Sequence, residues 1–238
     1  MAPFGDRHLR SNEDQGGSNV HQADAILTAN RRFENVRRDP QTIPFHRGNI
    51  LPHWEVSEGR YLVTIRQAGS LPDPVVEQLQ NRARRQEAGV ETTRSVFGDI
   101  EQILDRCGGE GELTQPEIAD MLVEAIAFRE SRDEWKMMEY VIMPNHMHLF
   151  FQLRDGRLMK TLIDFKRWTG RQATDLLNRS GERFWQREWF DHWSRSPRED
   201  ERIAAYIRHN PVKAGLVETP EQWLYGSWLA SKESSSPQ

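Results

Sequence analysis

The sequence predicts an α+β fold: an antiparallel sheet with helices packed on one face, preceded by a disordered N-terminal extension. Three observations carry that expectation. Strand-like runs lie at residues 60–66, 135–143 and 146–153. The last two are separated only by Pro144-Asn145, a tight turn that makes them an antiparallel hairpin. The longer segments between and after them show helical spacing of apolar residues.

The elements follow in order. Residues 1–45 are rich in Gly, Ser, Asn, Asp, Arg and Gln without apolar periodicity and read as the disordered extension. Residues 46–230 form one domain, and 231–238 a frayed tail. Arg60–Arg66 alternates apolar and polar residues as a half-buried strand does. Leu71-Pro72-Asp73-Pro74 is a turn, residues 75–86 and 96–106 are helical, and Gly108-Gly109 breaks the second stretch. Thr114-Gln115-Pro116-Glu117 opens a helix through Glu130. After the hairpin, a helix spans 158–178 with an apolar face of Leu158, Leu162, Phe165 and Trp168, and Phe184-Trp185-Gln186 is a short strand. The last helix starts at Pro197 behind the cap Ser196, carries Glu199, Asp200 and Glu201 at its positive end, and stops at Pro211.

Composition narrows the function classes. The chain has 238 residues, 37% hydrophobic, with a mean hydropathy of -0.78. No apolar stretch approaches the roughly 20 residues a membrane helix needs, and the N-terminus lacks a signal-peptide core, so a soluble cytoplasmic protein is expected. A single cysteine, Cys107, leaves no intramolecular disulfide and no Cys-rich zinc module. The net charge of -4 hides an asymmetry. Residues 151–217 hold 14 Lys and Arg against 9 Asp and Glu, whereas residues 71–130 hold 6 against 13. A basic field therefore coexists with an acidic total, which admits a nucleic-acid partner.

The chemistry begins at Met143-Pro144-Asn145-His146-Met147-His148-Leu149. Strand side chains alternate, so His146 and His148 share one face while Met147, Leu149 and Phe151 anchor the other. Neutral imidazoles side by side on a rigid strand suit a divalent metal. On the last helix Tyr206 and Asn210 stand four residues apart and share a face. If that face lies over the histidine strand, two imidazoles and an amide oxygen surround a metal with a phenol beside it. Nitrogen and oxygen donors without thiolate favour Mg²⁺ or Mn²⁺ and also admit Zn²⁺. A tyrosine, with a free pKa of about 10, attacks a phosphodiester where a metal polarises the phosphoryl group, giving a 5′-phosphotyrosine and a 3′-hydroxyl. The plainer alternatives are a core tyrosine at 206 and a helix C-cap at Asn210.

His146-Met147-His148 in this setting, Phe184-Trp185-Gln186-Arg187-Glu188 with Phe190-Asp191-His192, and Tyr206-Ile207-Arg208-His209-Asn210-Pro211-Val212-Lys213-Ala214-Gly215 together resemble the REP-associated tyrosine transposases. These are single-tyrosine members of the HUH nuclease superfamily, in the IS200-like group. The resemblance runs from about Gly48 to Trp228. It implies a ferredoxin-like HUH core and metal-dependent cutting and joining of single-stranded DNA beside palindromic hairpins. Carried over by position, Tyr206 is the nucleophile, His146 and His148 are metal ligands, and Asn210 is the third ligand. Mg²⁺ or Mn²⁺ is the implied metal, with no nucleotide cofactor and no membrane partner, and the branch is expected to act as a monomer. Lys166, Arg167, Gln186, Arg187, Asp191, His192, Arg195 and Lys213 are the DNA-binding candidates, and Trp185, Trp189 and Trp193 are candidates for base stacking. Two rivals remain: a hairpin-binding regulator of the same fold that no longer transposes, and a zinc hydrolase using the histidine pair.

Overall fold

A computed structural model describes residues 42–46, 52–71, 103–104, 111–154 and 157–229. Two strands, β1 (Thr42–His46) and β2 (Pro52–Val56), form a hairpin, and β1 begins inside the stretch expected to be disordered. The rest of the extension, the tail and the expected elements over 72–102 and 105–110 lie outside the described residues; Ile103 and Leu104 are helical.

The main sheet contains β3 (Arg60–Arg66), β4 (Trp135–Ile142), β5 (His146–Leu153) and β6 (Phe190–Ser194) in the order β4-β5-β3-β6, all antiparallel. The expected hairpin is present as β4 and β5. The strand beside β3 departs from expectation: it is Phe190–Ser194, whereas Trp185 contributes only a single bridge to Gln67. Its polar residues masked it. Asp191 and His192 carry no apolar alternation, and each is accommodated by an ionic partner on a neighbouring element.

Two helices, α1 (Pro116–Ser131) and α2 (Leu158–Leu176), cover one face of the sheet. Tyr61, Val63, Ile65, Met147, Leu149 and Phe151 point into that layer and meet Leu122, Ile126, Leu162 and Phe165. A third helix, α3 (Pro197–Lys213), lies on the opposite face, where Ile203 and Ile207 pack on Leu62, Val141, Met143 and Phe150. Helices therefore occupy both faces, which extends the one-face expectation: α3 is amphipathic and its apolar stripe needs the second face.

The outer edge of β4 is closed by the chain at 225–227. Ile142 N–H donates to Tyr225 O at 2.9 Å and Tyr140 N–H to Ser227 Oγ at 3.1 Å. Covering removes the row of unpaired backbone groups that an edge strand otherwise presents. The turn before β5 is braced from below. Leu113 N–H donates to Pro144 O, and Gly111 runs so close that a Cβ there would sit 1.8 Å from that oxygen. Only glycine fits, and the contact fixes the Pro144-Asn145 turn that aims the histidines.

Candidate active site

β5 delivers the alternation its sequence encodes. His146 and His148, 1% and 0% exposed, face α3, and Met147, Leu149 and Phe151 enter the large apolar core. The two Nε2 atoms approach to 3.2 Å with the rings edge-on, so both point at one spot. Behind them, His146 Nδ1 meets Asn145 Oδ1 at 2.7 Å and His148 Nδ1 meets Thr64 Oγ1 at 2.8 Å. Thr64 stands directly opposite His148 in the β3–β5 register. Burial, reinforced by the positive charge of Lys213, pushes the His148 pKa down to about 3. The ring is neutral at neutral pH, the state a metal ligand requires.

α3 brings the remaining groups. The Tyr206 and His148 ring centroids are 5.4 Å apart, and Lys213 Nζ lies 6.0 Å from the Tyr206 ring. Spacings of four and seven residues put Tyr206, Asn210 and Lys213 on one face of the helix. Several links seat this helix. Ser196 caps it through Glu199 N–H at 3.2 Å, and His192 Nε2 bonds Glu199 Oε1 at 2.8 Å. Arg208 grips the buried Glu139 of β4 with Nε at 2.9 Å and Nη2 at 2.8 Å. Burial opposes ionisation of Glu199, but bonds from His192 and the Arg195 N–H hold its pKa below the usual range.

Pro211 does not end α3. The helix continues through Lys213 and closes at Gly215, whose φ is +71°, with Gly215 N–H donating to Val212 O and Leu216 N–H to Pro211 O. Asn210 is consequently not a C-cap; Ala214 holds that place. Its side chain is completely buried, and neither Oδ1 nor Nδ2 has a hydrogen-bond partner among the described residues. A buried amide without partners is destabilising by roughly 1–3 kcal/mol, so Asn210 keeps both hydrogen-bonding atoms available to a further group. Two imidazole nitrogens and an amide oxygen are donor types that suit a small divalent cation. No cluster of three His, Cys, Asp or Glu side chains able to hold a metal occurs among the described residues. The zinc-hydrolase reading needs such a third ligand, and the described residues offer none.

The other candidates divide. Lys166, Arg167, Gln186 and Arg187 line a groove between α2 and residues 180–189, joined there by Arg171 and Arg183. Lys166 Nζ donates to the carbonyls of Gln186 and Arg187 at 2.7 and 2.8 Å and so also shapes the groove wall. Asp191 and His192 are engaged inside the protein, Asp191 with His53 and His192 with Glu199. Arg195 lies over Trp193 at 4.8 Å. Trp185 and Trp189 are buried core residues; Trp185 Nε1 donates to Thr169 Oγ1 at 2.9 Å. Trp193 is half-buried.

Sequence reasoning missed Thr64, the side-chain role of Asn145, Gly111 and the Glu139–Arg208 grip. Thr64 left one signal, the one aliphatic hydroxyl in the apolar run Tyr61–Ile65.

The chain is similar to known proteins in sequence and in fold. The family model of IS200-like transposases matches residues 110–210. A Haemophilus influenzae protein named as a REP-associated tyrosine transposase is 29% identical over 98 residues, covering 37% of this chain. The match spans about half of that relative, 55% of its length. A solved structure of a REP-associated tyrosine transposase bound to a REP hairpin superposes with a TM-score of 0.50 at 17% identity, over 81% of this chain and 87% of that one, and shows the shared fold. Residues 110–210 thus carry an IS200-like transposase sequence, and the chain is similar to REP-associated tyrosine transposases in part of its sequence and in its fold.

Proposed function

We propose that this chain cuts and rejoins single-stranded DNA beside a palindromic hairpin through a covalent tyrosine intermediate, acting as a monomer whose domain spans residues 46–230. The observation that supports it most is the approach of Tyr206, on α3, to the His146–His148 pair within a single chain, with the orphan Asn210 amide on the same helix face. Supporting the substrate class are the basic groove and the hairpin held by the structural neighbour.

His146, His148 and Asn210 are the residues that would hold Mg²⁺ or Mn²⁺, and a cation there supplies Lewis-acid polarisation of the scissile phosphodiester. Tyr206 Oη attacks the phosphorus. The new P–Oη bond forms as the P–O3′ bond breaks; the phenol proton passes to solvent and the departing 3′-oxygen takes one up. The 5′-phosphate stays on Tyr206, and a 3′-hydroxyl attacking it reverses the step and rejoins the strand. Because the ester bond is exchanged rather than hydrolysed, joining needs no nucleotide cofactor. Lys213, beside the Tyr206 ring, places a positive charge where the phosphate must lie. Lys166, Arg167, Gln186 and Arg187 contact the DNA through their groove, and the exposed Arg195 does so just beyond β6. Asp191 and His192, engaged in internal pairs, act by holding β6 and α3 rather than by touching bases.

The test is to incubate the protein with an end-labelled hairpin oligonucleotide and Mn²⁺ and to look for a covalent adduct on a denaturing gel. A labelled adduct that disappears in Tyr206→Phe supports the proposal. An equal adduct in Tyr206→Phe overturns the role of Tyr206. Hairpin binding without any adduct makes the chain a hairpin-binding regulator of the same fold.

A further inference from the structure

The far nitrogens of the imidazole pair are held by two chemically different groups. His146 Nδ1 faces the Asn145 amide at 2.7 Å, and His148 Nδ1 faces the Thr64 hydroxyl at 2.8 Å. That difference determines where the ring protons sit.

Asn145 has no choice of orientation. Its Nδ2 lies 3.3 Å from the main-chain oxygen of Leu104, which only accepts. The nitrogen end therefore faces Leu104 and the oxygen end faces His146. An amide oxygen also only accepts, so His146 carries its ring proton on Nδ1, and its Nε2 holds a lone pair. The backbone of Asn145 is fixed as well, since its carbonyl accepts from Gln67 N–H at 2.9 Å.

The facing Nε2 atoms, 3.2 Å apart, then need one proton between them. With both rings neutral it belongs to His148, which donates from Nε2 to His146. His148 Nδ1 becomes the acceptor, and Thr64 donates its hydroxyl proton. For both Nε2 atoms to ligate a cation, His148 must change to its Nδ1–H form. Its partner must then accept instead of donate, and a hydroxyl does both by rotating.

We propose that Asn145 and Thr64 are positioning residues of unequal kind. Asn145 locks His146 permanently in the ligating tautomer, whereas the Thr64 hydroxyl reverses its hydrogen bond so that His148 switches tautomer when a divalent cation enters. The protons balance: His148 Nε2 gives one to solvent, Nδ1 takes one up, and the ring is neutral before and after. The switching half rests on the metal reading above; the Asn145 half does not.

Long-range ¹H–¹⁵N spectra of the imidazoles test both halves. In metal-free protein, His146 should be protonated on Nδ1 and His148 on Nε2. Adding Mg²⁺ should move the His148 proton to Nδ1 and leave His146 unchanged. His146 protonated on Nε2 in the metal-free protein overturns the Asn145 lock. His148 already in its Nδ1–H form, or unchanged by Mg²⁺, overturns the switch. Calorimetry with Mn²⁺ adds a second readout: Thr64→Val should weaken binding about 10- to 100-fold, and Thr64→Ser should restore most of it. Equal Mn²⁺ affinity in Thr64→Val, with its thermal unfolding unchanged, also overturns the switch. If the wild-type chain takes up no Mn²⁺, the metal reading fails and the switch with it, while the metal-free spectrum still decides the Asn145 lock.

Discussion

Two buried histidines, His148 in the four-stranded sheet and His53 in the two-stranded hairpin, occupy opposite electrostatic worlds. His148 sits on the α3 face among a hydroxyl, a second imidazole and the charge of Lys213; burial and that charge push its pKa down to about 3. Burial would lower His53 as well, but hydrogen bonds and charge from Asp191 and Glu188 override it and raise the pKa to about 9. Asp191 pairs across from Val63 and so shares the apolar face of the sheet. Burial alone does not decide what a histidine does. Acid neighbours make His53 a cation that ties β2 to β6, while burial and a positive neighbour leave His148 a lone-pair donor.

The largest expected effect lies on the α3 face. Tyr206→Phe should reduce covalent adduct formation by on the order of 10³-fold or more, with thermal unfolding unchanged. Adduct at the wild-type rate would remove the nucleophile from that face. The opposite signature belongs one residue from the site: Leu149→Ala should cost about 2–5 kcal/mol in denaturant unfolding while His146 and His148 keep their geometry. A loss below 1 kcal/mol would mean β5 does not divide chemistry from core as described.

His53 sharpens the contrast through pH. Its folded pKa lies above the unfolded value of 6.5, so its contribution is fully present below that value and is lost as pH rises through about 9. The whole effect is on the order of 3 kcal/mol. Unfolding midpoints should therefore fall from pH 7 to pH 10, and His53→Gln should flatten that decline; an equal decline in the variant would deny the buried charge. Asn210→Leu replaces an orphan amide with hydrocarbon and should be neutral to roughly 1 kcal/mol stabilising, while Mn²⁺ affinity falls. A strong destabilisation would show that the amide serves the fold. The smallest effect is expected in the groove: Arg167→Gln and Arg187→Gln should each lower the salt dependence of hairpin binding by about one phosphate contact. An unchanged salt slope would take the DNA backbone out of the groove.

How legible these regions were follows from the kind of signal each carried. β5 was readable on both faces because period-two alternation assigns His146 and His148 to one side and Met147, Leu149 and Phe151 to the other. Tyr206 and Asn210 were readable because helix spacing holds whatever the helix packs against. β6 was not, since Asp191 and His192 are half-buried and held by polar partners, His53 and Glu199, rather than by hydrophobicity. The end of α3 was misplaced because Pro211 reads locally as a stop, while the backbone bonds through Gly215 and Leu216 carry the helix past it. Asp191 and His192, expected from the sequence to contact DNA, have internal partners in the fold that charge in a linear sequence does not display. Thr64 and Asn145 depend on register and on a turn, neither of which a linear pattern displays.

Mn²⁺ bound to the DNA-free protein tests the central claim most directly, through the nitrogen couplings that pulsed electron paramagnetic resonance resolves. The account predicts couplings from two imidazoles in the wild-type chain, one after His148→Ala, and none after His146→Ala with His148→Ala. No imidazole coupling in the wild-type protein, or two couplings persisting in His148→Ala, would contradict it.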